Sequence, residues 1–111
     1  MATMLERLRA ARESWVEVGE FEFLIRRPTD VEMFRARGEH PSVFLRRVVM
    51  NWRGVREMDL VPGGGPDPAP FEADVLVEWA EDRQQIYLDL VAAVEAQITA
   101  HWEAKADAAK K

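Results

Sequence analysis

The chain has 111 residues, of which 48% are apolar and 32% charged, with a net charge of −5 and no cysteine. That composition belongs to a globular chain with one domain's worth of core, and it leaves neither a disulfide nor a thiolate metal site. No apolar run approaches the roughly 20 residues needed to span a bilayer.

The opening segment "MATMLERLRAARE" is amphipathic and carries arginines, but its glutamates and missing apolar run argue against a signal peptide, so the cytoplasm is the expected compartment. Charge is unevenly spread. Residues 1–56 hold eleven Arg against eight Asp and Glu, a net of +3, whereas residues 57–111 hold four Arg or Lys against twelve acids, a net of −8. Arginine binds carboxylates through a planar fork, so the first half suits an acidic partner or the chain's own acidic half. Nucleic acid is not expected as a partner, because the arginines are dispersed and the net charge repels phosphate.

Within that opening segment, "TMLERLRAAR" predicts a short helix, with Leu5 and Leu8 on one face and Thr3 and Glu6 at capping-box spacing. In "SWVEVGEFEFLIRRP", Val16 and Val18, then Phe21, Phe23 and Ile25, alternate with other residues at period two. Gly19-Glu20 supplies a tight turn between them, which predicts a β-hairpin ended by Pro28. An isolated hairpin is marginal in water, so its aromatic face must pack on a helix, another strand or another chain. "TDVEMFRARG" follows as a short helix with Thr29 and Glu32 at capping-box spacing and Gly38 as terminator.

"HPSVFLRRVVMNW" sets Phe44, Val48 and Trp52 at i, i+4 and i+8, the pattern of an amphipathic helix with Arg46 and Arg47 on its wet side. "FEADVLVEWAEDR" repeats it with Phe71, Val75 and Trp79. A last, longer helix carries Ile86, Leu90, Val94, Ile98 and Trp102 as one stripe, and residues 104–111 are expected to fray.

Between the middle helices lies "DLVPGGGPDPAPFEAD", with three consecutive glycines and four of the chain's six prolines. A phosphate-cradling loop needs its glycines directly before a helix, usually with Lys and Ser or Thr on that helix. Here the prolines remove amide donors, and no Lys, Ser or Thr occurs from Asp59 to Ile98. Residues 59–70 are therefore read as a semi-rigid connector that delivers Phe71 to the core of a single domain spanning 1–111.

His40 and His101 are isolated, and His101 and Glu103 do not share a helical face, so no metal site is expected. Glu81 and Asp82 read as solvated charge. The few hydroxyls lack a base partner, so no enzymatic activity and no cofactor are expected. The tryptophans fit the core first, though tryptophan is also enriched at interfaces. Trp102, at the fading end of the last helix, is the one expected to be exposed.

The order "FEFLIRRPTDVEM", "NWRGVREMDLVPGG", "PAPFEADVLVEWAEDR" and a long terminal helix ending in lysines resembles the small tail assembly chaperones of long-tailed bacteriophages, over roughly residues 15–105. The resemblance implies a role and no chemistry. Such chaperones coat the aggregation-prone tape measure protein in the host cytoplasm and help bring tail tube subunits to it, and some are also made in a longer frameshifted form. On this reading the fold is α+β and mostly helical: a short N-terminal helix, one hairpin, then about four helices. The expected protein-binding residues are Phe21, Phe23, Phe44, Trp52, Trp79 and Trp102, with Arg46 and Arg47 meeting acidic partner surface and self-association as a further possibility. Two other readings are a small acidic phage protein that binds a host protein through Glu72, Asp74, Glu78, Glu81, Asp82 and Asp89, and a minor virion tail component.

Overall fold

The alternating stretch folds as its periodicity predicts. In the computed structural model, which describes residues 1–110, β1 (Glu13–Val18) and β2 (Phe21–Arg26) pair antiparallel with Val18 opposite Phe21. That register leaves a two-residue loop, and Gly19 takes φ +60° with no positive φ at Glu20, the pattern of a type II′ turn. Val16, Val18, Phe21, Phe23 and Ile25 face inward, while Trp15, Glu22 and Leu24 face out.

The chain is α+β, as expected, with helices around one antiparallel sheet of order β1-β2-β3. The third strand was not expected. The helix predicted to reach Trp52 stops at Val48: α3 is Pro41–Val48, and the chain passes directly into β3 (Val49–Arg53), which pairs with β2. Consecutive valines favour extended backbone, and the free edge of a marginal hairpin gains a full ladder from a third strand. A bulge opposite Leu24 and Ile25 accommodates Met50, so that Val49 and Trp52 both face the core.

The remaining helices are α1 (Met4–Ala10), α2 (Asp30–Arg35), the single turn α4 (Glu57–Leu60), α5 (Ala73–Glu81) and α6 (Gln84–Ala109). Thr29 and Glu32 form the capping box of α2, each accepting the other's backbone N–H at 3.1 Å. Helices α3, α5 and α6 pack together against the inner face of the sheet. Phe23, Ile25, Leu45, Val48, Leu76, Leu90 and Val94 form the centre of one continuous core. The end of α6 departs from expectation: residues 104–109 are helical, as four alanines there favour, and Lys105 bonds Asp30 across to α2. Lys111 of the expected frayed tail lies outside the described residues.

The glycine-proline segment folds back on α4. Gly65 and Asp67 carbonyls accept from Met58 and Glu57 N–H, and Ala69 N–H donates to Val55 O at 2.9 Å. It connects two helices, and Phe71 at its end packs edge-on against Trp52 at 5.2 Å. Gly64 lies so close to α4 that an added Cβ would fall 2.6 Å from the Glu57 carbonyl, which is backbone and cannot step aside, while Gly65 faces open space. Gly64→Ala should therefore destabilise the fold by about 1–3 kcal/mol in urea unfolding, and Gly65→Ala should leave it unchanged within error.

Candidate protein-interaction site

The aromatic residues expected to line one binding groove separate into two groups. Phe23, Trp52 and Trp79 are buried, at 0%, 5% and 7% exposure, so they are core and not contact residues. Trp79 meets Phe21 edge-on at 5.2 Å and Trp52 at 6.0 Å, arrangements that add about 0.5–1.5 kcal/mol each beyond area burial. Both core indoles find backbone acceptors: Trp52 Nε1 donates to Ala69 O in the connector at 2.8 Å and Trp79 Nε1 to Asp59 O in α4 at 3.1 Å. Phe21 is half-buried beneath this cluster. A satisfied indole in a packed core has nothing left to offer a partner.

Trp102 is the exception, 51% exposed near the end of α6, with its N–H 3.4 Å from Asp30. Phe44 is half-buried in a different place, the wall of a cleft of about 270 Å³ between α2, α3 and α6. Met33, Leu45, Val91, Val94 and Ile98 supply the rest of its apolar lining. Ile98 and Trp102 are one helical turn apart, so the floor continues along α6 toward the exposed indole. The outer face of α2 is apolar as well: Phe34 is 67% exposed and Val31 also faces solvent, and α2 buries no residue at all. Sequence reading took α2 only as a short capped helix. Its signal was the Val31–Phe34 spacing on a helix too short to use both of its faces.

The arginines expected to meet a partner are engaged within the chain. Arg46 pairs with Asp74, and Arg47 with Glu39 at 3.1 Å. Pairing between the two halves is nevertheless sparse. Among the described residues, Arg46 and Arg56 alone of the first half's arginines pair with second-half carboxylates, and Glu72, Glu78, Glu81 and Asp82 stand exposed without an ion pair.

Helix α2 is held over the cleft by polar contacts. Arg26 grips Glu32 through two bonds of 2.7 and 2.9 Å, and Asp30 faces Lys105 and His101 of α6. The Arg26 guanidinium, helped by the Thr29 N–H, holds the Glu32 carboxyl at about 2 instead of the ordinary 4.5, and the Lys105 hydrogen bond lowers Asp30. The isolated histidines each have a structural role: His40 Nδ1 accepts Ser42 N–H at the start of α3, and His101 lies 3.3 Å from Asp30. Among the described residues no group of three or more potential ligands could hold a metal, and no helix is long and apolar enough to cross a membrane. Comparison with models of known protein families, with curated proteins and with solved structures finds no match to this chain.

Two outcomes are expected. Trp52→Ala should cost about 3–5 kcal/mol in urea unfolding, against less than about 0.5 kcal/mol for Trp102→Ala. Because Glu32 is depressed in the folded state, its contribution is fully present above about 4.5 and is lost as pH falls toward about 2. Glu32→Gln should therefore destabilise the neutral protein by about 1–2 kcal/mol and flatten its stability across that window, as followed by the urea midpoint at stepped pH.

Proposed function

We propose that the chain is a non-enzymatic assembly chaperone of the phage tail type, which holds apolar helical segments of a tape measure protein in the host cytoplasm and helps recruit tail tube subunits. One observation carries the reading: the apolar cleft between α2, α3 and α6, which runs along α6 toward exposed Trp102, with Phe34 exposed on the outer face of the neighbouring α2. A helix of a partner lays its apolar stripe into such a groove through residues at i, i+3, i+4 and i+7. The sequence resemblance over residues 15–105 points to the same role, since a tape measure protein is long, helical and prone to aggregate. The bulk of the aromatic residues serve the fold, so the binding role falls to Phe34, Phe44 and Trp102.

A second reading has its own support. The exposed carboxylates Glu72, Glu78, Glu81 and Asp82, without ion pairs among the described residues, would suit an acidic protein that occupies a basic surface of a host protein.

Co-expression with the tape measure protein separates the two. The chaperone should bring the tape measure protein into the soluble fraction, and Phe34→Ser combined with Trp102→Ser should abolish the effect without loss of fold. A tape measure protein that stays equally insoluble with and without the chaperone would overturn the proposal. Recovery of a host protein, lost when Glu78 and Glu81 are reversed to Lys, would support the second reading in its place.

A further inference from the structure

The two edges of the sheet are not alike. On β3 the outward N–H of Trp52 donates to the neighbouring Asn51 Oδ1 at 2.9 Å. Just beyond it, Val55 O accepts Ala69 N–H and Arg56 bridges Pro68 of the connector. On β1 nothing equivalent is present. Val18 closes the hairpin opposite Phe21 and Arg12 O accepts Arg27 N–H, so the even-numbered residues of β1 bond to β2. The N–H and C=O groups of Glu13, Trp15 and Glu17 therefore point away from the sheet, and among the described residues no group of the chain bonds to them. A strand edge left in this state is a template for another strand.

The rim of that edge is acidic. Glu13, Trp15 and Glu17 share the outer face of the sheet, and neither glutamate is in an ion pair among the described residues. The cations on the same face are engaged elsewhere. Arg53 pairs with Glu22 at 2.9 Å and lies 3.8 Å over the Trp15 ring, and Arg26, opposite Glu13, is held by Glu32. Arg12 and Arg27 alternate onto the other face, and Glu20 in the turn adds a further acid.

We infer that β1 receives an extended segment of a partner protein as a fourth strand, with Lys or Arg at the two positions beside Glu13 and Glu17 and an apolar residue between them beside Trp15. This surface is separate from the cleft, and the inference does not depend on the chaperone reading. Main-chain bonds to the three free residues supply the affinity, and the alternate side chains supply the selectivity. Opposite charges across adjacent strands attract and like charges repel, so the two glutamates choose a basic segment over an acidic one.

The same glutamates decide against a second copy of this chain. Symmetric antiparallel pairing of two β1 edges centred on Trp15 would set Glu13 of each strand opposite Glu17 of the other. Moving the centre to Ser14 or Val16 leaves glutamate diagonal to glutamate on one face.

The test uses the full chain and two short labelled peptides with the same alternating apolar residues, one with Lys and one with Glu at the two flanking positions, followed by fluorescence anisotropy. The Lys peptide should bind roughly tenfold more tightly, with the difference shrinking in high salt. Glu13→Lys combined with Glu17→Lys, both on the outer face of an edge strand, should keep the circular dichroism spectrum and reverse the preference. Backbone pairing has its own readout. N-methyl groups on alternate amides of the Lys peptide should abolish binding in one phase and spare it in the other, because only one set of amides faces β1. Binding should also slow hydrogen exchange at the amides of Glu13, Trp15 and Glu17 and leave Met50 unchanged. Equal binding of the Lys and Glu peptides, no binding of either, equal binding of both N-methylated phases, or an unchanged preference in the double variant would overturn the inference. So would a dimer in sedimentation velocity that protects the same three amides without peptide, since a second copy would then occupy the edge. Phe34→Ser combined with Trp102→Ser should leave peptide binding intact; its loss would place the peptide in the cleft and overturn the inference as well.

Discussion

Two indole N–H groups organise this molecule. A tryptophan buried without an acceptor loses on the order of 1–3 kcal/mol for its stranded donor, so Trp52 and Trp79 can enter the core only where carbonyls wait for them. The connector supplies Ala69 O for Trp52, and α4, on which the connector lies, supplies Asp59 O for Trp79. Proline lacks an N–H but keeps its carbonyl, and a proline on either side of Ala69 leaves a stretch poor in donors that would compete for it. Gly64 lets the segment lie directly on α4, the helix that carries the Asp59 carbonyl. The most unusual stretch of the sequence is thus the acceptor half of the core and not a ligand-binding loop.

Filling the core this way has a consequence at the surface. With Phe23, Trp52 and Trp79 inside, the core draws little on α2, which buries no residue fully and packs on it only through half-buried Met33. Its position depends largely on the Thr29–Glu32 capping box, the Arg26–Glu32 pair and the Asp30–Lys105 contact. An element held by exposed or half-exposed polar contacts opens at lower free energy than one held by burial. Such an element lies at the low-stability end from which binding surfaces are drawn, and its apolar residues Val31 and Phe34 are already on the outside.

Much of the fold was legible because local signals agreed with the final packing. Period-two alternation around Gly19 gave the hairpin, Thr29 and Glu32 gave the start of α2, and the Phe71 and Ile86 stripes gave the last two helices. The third strand was not legible because Phe44, Val48 and Trp52 satisfy a helical spacing, while what decides their state is the open edge of β2, a contact remote in sequence. The site was less legible still. Surplus aromatics suggested an exposed groove, but whether a tryptophan is core depends on finding an acceptor for its N–H, here 17 and 20 residues distant along the chain. Trp102, with no packed surface left on its stretch of helix, was the one whose exposure the fading stripe revealed. Arg46 and Arg47 looked free in sequence for the same reason, since Asp74 and Glu39 reach them only in the fold.

The division of the tryptophans is the point on which this account stands, and hydrogen exchange at the indole N–H groups, read by NMR, tests it directly. Trp52 and Trp79 should be protected together with the amides of β2, opening only with global unfolding, while the Trp102 indole exchanges close to the solvent rate. Exchange at Trp52 or Trp79 as fast as at Trp102 would contradict the account, because the connector would then not be tied to the core and those aromatics would be free to meet a partner.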